Sequence, residues 1–231
     1  MPKTIGILGG MGSWATLNFF RQILGLSEPD EFRIIIDNNV EIPSRTLAVR
    51  DNEISTGEMR LELLTSLGQL AYNVWNMTGP PHTRKPDLAG VIAVPCNSAH
   101  YWYCYEPLWL NMLEVVSDAV KAQGYSRPLI LGGYVTVEKR LYSKYLPEAA
   151  YLDEEGNAVI YKAIEFFKQG GIARDQFGFL WKDLPKHDCV LLACTELSLI
   201  NSGCWTAVSR KPIIDSSLEY AKATVKHARG G

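Results

Sequence analysis

Two short apolar runs, each stopped by a cysteine, constrain the fold of this chain more than any other feature. Val91 to Pro95 lead into Cys96, Asn97, Ser98, Ala99 and His100; far along the chain, Cys189 to Ala193 lead into Cys194, Thr195 and Glu196. Runs of this length bounded by polar residues read as strands buried on both faces, the mark of a parallel sheet. The chain is therefore expected to be α/β, with each thiol at a strand's carboxyl end, where open α/β sheets hold their ligands. Two thiols placed alike point to one site.

A chain of 231 residues holds one large domain or two lobes of roughly 100 to 120 residues, and the paired thiol runs favour two lobes. With 47% apolar and 21% charged residues the balance is that of a soluble globular protein, and no window resembles a span of ~20 apolar residues. Lys3 passes directly into a strand-like run rather than a signal-peptide core, so a cytoplasmic protein is expected. A net charge of −2 without a Lys/Arg cluster argues against nucleic acid and for a small-molecule partner. Five cysteines without dense regular spacing are expected to stay reduced, with Cys104, Cys189 and Cys204 as packing residues. No CxxC or HExxH occurs and His82, His100, His187 and His227 are scattered, so no metal site is expected.

In chain order, Thr4 to Leu8 is a first strand, turned by Gly9, Gly10, Met11 and Gly12 into a helix from about Trp14 to Leu24. Glycines there let backbone N–H groups approach an anion at the helix start. The same spacing also fits a dinucleotide fingerprint, with Asp37 after the strand Phe32 to Ile36 as the ribose acid, but that reading leaves the thiol runs unexplained. Pro43 and Ser44 precede Arg45, either a solvated surface residue or a fork for a substrate carboxylate. Glu58 to Leu70 is an amphipathic packing helix, and the proline-rich 72–87 stretch is a flap or partner contact. The aromatic run from His100 to Trp109 reads as packing or interface before it reads as a stacking wall. A helix from Leu113 to Gln123 follows.

Pro128 to Leu131 with Gly132 and Gly133 opens the second half as the first half opened, and Tyr134 to Tyr145 reads as helix. Each half thus has a strand and glycine turn, then a strand and cysteine turn, the order expected of lobes related by an approximate two-fold. Ala158 to Lys168 is a helix in which Lys168 reads as a dipole-complementing terminal lysine. Lys211 to Asp215 is a last strand and Ser216 to Ala228 a closing helix.

A thiolate and a thiol facing each other across one carbon can remove a proton from one face and return one to the other, which inverts a stereocentre. The carbanion between those events needs preorganised donors, which Asn97, Ser98, Thr195 and two helix starts supply. Glu196 is an acceptor for an ammonium, a base for Cys194, or simply a first-turn glutamate.

Gly9 to Thr16, Ile42 to Thr46, Pro95 to His100, Gly132 to Thr136, Ala193 to Glu196 and Pro212 to Asp215, in this order, resemble the aspartate/glutamate racemase family. The resemblance implies two parallel α/β lobes (1–101 plus 209–231, and 102–208) with the active site in the cleft between them, commonly as a homodimer. It implies Cys96 and Cys194 as the two catalytic bases, and no pyridoxal or other cofactor. It further implies Arg45 at a substrate carboxylate, with Met11, Asn97, Ser98, Thr136, Thr195 and Glu196 around an amino acid, aspartate or glutamate first. The family usually has threonine at the positions of Ser98 and Gly133, and the 72–87 segment looks inserted, departures that would reshape the pocket for a bulkier amino acid or a specialised metabolite. Two other readings stand beside it: a cis-trans isomerase of maleate type with one covalent cysteine, and a catalytically silent amino-acid-binding homologue.

Overall fold

The computed structural model describes residues 3–52, 54–76, 90–103, 109–169, 186–200 and 202–230. Strand β1 (Lys3–Gly9) is followed by α1 (Ser13–Leu26), β2 (Phe32–Asn38), α2 (Arg45–Arg50), α3 (Thr56–Asn76) and β3 (Val91–Ala93). A 3-10 turn, Asn97–Trp102, leads on to α4 (Met112–Ala122), β4 (Pro128–Gly132), α5 (Tyr134–Glu138), β5 (Ala150–Tyr151) and α6 (Glu154–Lys168). Then come β6 (Cys189–Ala193), a 3-10 turn Leu197–Leu199, α7 (Ser202–Ser209), β7 (Ile213–Asp215) and α8 (Ser216–Ala228).

All strand pairs among the described residues are parallel. The first sheet has the order β2-β1-β3 and the second β5-β4-β6-β7, so both place their first strand between the next two. Chain leaving β1 and β4 therefore departs first to one side and later to the other, which opens a crevice at the strands' carboxyl ends in each sheet. Gly10 and Cys96 stand at one crevice, Gly133 and Cys194 at the other. The closing segment is divided: β7 pairs with β6 in the second sheet, while α8 packs on α1 and α4.

One apolar core lies between the sheets, built from Ile5, Ile7, Val91 and Ala93 of the first, Ile130, Leu191 and Ala193 of the second, and α1, α4 and α8. A second core lies under α3 and a third under α6. Sheet faces are thus covered on both sides, which accounts for the unbroken apolar runs of β4 and β6.

Local signals account for the ends of several elements. Asp153 accepts a hydrogen bond from Gly156 N and starts α6 four residues before the expected Ala158. Asp215 caps α8 in the same way, at the expected place. Tyr72 to Asn76 continues α3 rather than opening a loop, and 77–87 lies outside the described residues. The Tyr134 helix ends at Glu138, and turns carry the chain on to Tyr145. Cys189 is buried as expected, Cys204 is exposed instead, and Cys104 lies outside the described residues. No helix among the described residues is long and apolar enough to cross a membrane.

Of the aromatic run after Cys96, the described residues pack inward except Tyr101, which is exposed, and 104–108 lie outside the described residues. Trp102 and Trp109 are buried, and His100 sits among Tyr103, Trp109 and Tyr220. His100 Nε2 donates to the Val94 carbonyl at 3.1 Å, which fixes the neutral tautomer. Burial lowers its pKa from 6.5 to about 4, against the Val94 bond, which raises it. A depressed basic group contributes stability fully present above the unfolded value and lost as pH falls through the folded one. Unfolding free energy is thus expected to drop by about 3 kcal/mol from His100 alone between pH 6.5 and 4. NMR titration of the imidazole checks this: a midpoint near 4 agrees, and one near 6.5 contradicts it.

Candidate active site

The crevices of both sheets open into one cavity of ≈ 450 Å³ whose wall includes Met11, Arg45, Cys96, Asn97 and Ser98 from the first half and Gly133, Cys194, Thr195 and Glu196 from the second. Cys96 is the last extended residue before the 3-10 turn that follows β3, and Cys194 stands directly after β6. The turns are joined: Thr195 Oγ1 donates to the Pro95 carbonyl at 3.1 Å. The residue after one thiol is therefore bonded to the residue before the other.

Cys194 Sγ donates to Glu196 Oε2 at 3.0 Å. Burial, then the Glu196 charge and its hydrogen bond, push the Cys194 thiol well above its ordinary pKa, while the Lys168 ammonium pulls it down. The protonated form of the Cys194 thiol is favoured. Glu196 is buried because Gly12 carries no side chain; a Cβ at that position would fall inside the contact distance of Glu196 Oε1. The same carboxylate occupies the front of the glycine turn, where a dinucleotide pyrophosphate would need to approach, and Asp37 does not line the cavity. The dinucleotide fingerprint is thus contradicted by the charge placed against it.

Arg45 begins α2, a helix capped by Ser44, and its guanidinium donates to the Pro43 carbonyl at 2.9 Å and the Met11 carbonyl at 2.6 Å. These two bonds tie the arginine to the glycine turn and leave further N–H groups on both terminal nitrogens. Asn97 is nearly inaccessible: Tyr142 donates to its Oδ1, and its Nδ2 donates to Ser216 Oγ at 3.1 Å. Its amide holds the Cys96 turn to α8 and to the chain after α5. Thr136, expected at the substrate, is fully buried behind Ser98, with the hydroxyls 3.4 Å apart, and is absent from the cavity wall.

One face of α6 supplies residues the sequence reading missed or discounted. Tyr161, Ile164, Glu165 and Lys168 recur at helical spacing and all line the cavity. Lys168, read above as a terminal dipole lysine, bonds Glu165 at 2.7 Å. Burial alone would lower its pKa, but Glu165, Glu196 and Cys194 together carry it above the ordinary lysine value. The signal was present in the alternation of polar and apolar residues on that face, but nothing local says which neighbour the face meets.

No family model matches the sequence. The broad specificity amino-acid racemase RacX of Bacillus subtilis (strain 168) is 26% identical over 238 residues, covering 96% of both chains. Among solved structures, the Picrophilus torridus aspartate racemase superposes with a TM-score of 0.76 at 25% identity, covering 98% of this chain and 94% of that one. Glutamate racemase from Thermus thermophilus shares the fold, with a TM-score of 0.58 at 19% identity over 99% of this chain and 81% of that one. The chain thus shares a parallel two-sheet fold end to end with aspartate and glutamate racemases, and sequence similarity along the whole length of an amino-acid racemase.

Proposed function

We propose that the chain is an isomerase that inverts Cα of a free amino acid with Cys96 and Cys194 as its two bases and no pyridoxal cofactor. The observation that carries this reading is the convergence of both thiols on one cavity wall, with their turns joined by the bond from Thr195 to Pro95. RacX is named for amino-acid racemisation, and the Picrophilus enzyme for aspartate, which supports the substrate class.

In one direction a Cys96 thiolate takes the Cα proton and the Cys194 thiol gives its proton to the opposite face. In the other, Cys194 first passes its proton to Glu196 over 3.0 Å, the thiolate so formed, with Lys168 near, takes the Cα proton, and Cys96 in its thiol form gives its proton to the opposite face. Arg45 and Lys168 are the cations that meet substrate carboxylates, and Ser98 is a neutral donor beside Cys194. Asn97 and Thr195 position the two thiol turns, and Thr136 supports Ser98. Met11 supplies wall and anchors Arg45.

A homodimer and a cytoplasmic setting belong to the same reading, which the family resemblance supports; in the lobe division at 1–101 plus 209–231 and 102–208, β7 falls on the other side, because it pairs with β6 in the second sheet. L-Aspartate or L-glutamate incubated with the protein in D2O is expected to lose optical rotation while gaining one deuterium at Cα, in the presence of hydroxylamine as in its absence. Retention of both rotation and protium across the common amino acids overturns the racemase reading. Accumulation of a covalent cysteine adduct with maleate would instead favour the cis-trans isomerase.

A further inference from the structure

Gly133 is a glycine that neither backbone nor packing requires. Its φ of −71° and ψ of 166° are extended values open to any L residue. A Cβ there would lie 3.6 Å from Ser98 Oγ and 3.8 Å from Cys194 Sγ, ordinary contacts with nothing nearer. Gly9 and Gly12 differ, since side chains there would collide with Thr16 and Glu196. The bare position at 133 is thus open space in the cavity wall beside the second thiol.

That space continues into an apolar side of the cavity. Tyr134, the next residue, sets its ring 5.7 Å from that of Tyr161, and Ile164 lies one turn along the same face of α6. From Tyr161 to Ile164 this apolar stretch runs about 5 Å at the helical rise per residue, and Glu165 and Lys168 close its far end. A cavity of ≈ 450 Å³ falls in the range of roughly 300 to 1,000 Å³ that accommodates drug-sized ligands, more room than a short dicarboxylic amino acid fills.

We propose that Gly133, with Tyr134, Tyr161 and Ile164, forms a size-determining subsite that admits α-amino acids with bulky apolar side chains of methionine or phenylalanine size. The inference rests on the racemase reading and names its substrate class. An apolar side chain entering beside Gly133 meets two aromatic rings and one isoleucine, while Arg45 and Lys168 remain for the α-carboxylate. Filling position 133 removes volume where the bulky side chain begins and leaves a short one room to turn away.

The test compares L-methionine, L-phenylalanine and L-aspartate with the wild-type protein, Gly133→Ala and Gly133→Val, reading kcat/KM for Cα deuterium exchange. Urea midpoints confirm that each variant is folded. The wild type is expected to exchange methionine and phenylalanine. Valine should lower kcat/KM for both by about tenfold or more, with alanine intermediate and aspartate changed by less than about threefold. Equal losses for all three substrates, or a wild type that exchanges aspartate and refuses the other two, overturns the subsite and leaves the racemase standing. Absence of exchange with every amino acid, by contrast, overturns the racemase reading itself.

Discussion

Cys96→Ser and Cys194→Ser are each expected to lower racemisation by about a thousandfold or more, the scale of a lost general acid or base. Serine keeps the size of the side chain and its place in the cavity wall, so packing is nearly unchanged. What it loses is an acid within reach of neutral pH. The two losses are expected to be similar although the thiols differ in setting: Cys194 is buried against Glu196, and Cys96 closes the strand before the 3-10 turn. A mechanism that needs only one cysteine predicts unequal effects. Initial rates by polarimetry decide between them, and parental turnover in either variant would exclude that residue as a base.

Gly12→Ala is expected to lower kcat/KM by about a hundredfold without unfolding the protein. The backbone at Gly12 is extended, with φ of 169°, so alanine adds no strain there. Its methyl, however, occupies the place of Glu196 Oε1, and the carboxylate must swing away from Cys194. The thiol then lacks the acceptor through which it sheds its proton. Because the damage passes through Glu196, Gly12→Ala should add almost nothing in a Glu196→Ala background, whereas independent effects would multiply. A double-mutant cycle in kcat/KM with unchanged urea midpoints is the measurement, and full additivity would contradict the coupling.

Much of this was legible in the chain. The strands before Cys96 and Cys194 announce themselves because burial on both faces demands continuous apolar residues, and the thiols break those runs abruptly. The closing helix from Ser216 to Ala228 was readable from its Asp215 cap and apolar spacing. Lys168 was not, since a lysine in a last helical turn has an adequate local explanation, and only the approach of α6 to Glu196 and Cys194 gives it another. Asn97 and Thr195 looked like substrate donors because their side chains carry the right groups; the bonds to Tyr142, Ser216 and Pro95 that occupy those groups come from parts of the chain far away. The short helix Arg45–Arg50 was hidden in a loop because one turn of helix carries too little periodicity to detect.

The central claim is that two thiols serve opposite faces of one carbon. The most direct measurement is deuterium incorporation at Cα from pure L and pure D substrate in D2O, made separately with Cys96→Ser and Cys194→Ser. Each variant is expected to exchange one enantiomer only, and the two variants to choose opposite enantiomers. Exchange of the same enantiomer by both variants, or of both enantiomers by either, would contradict it.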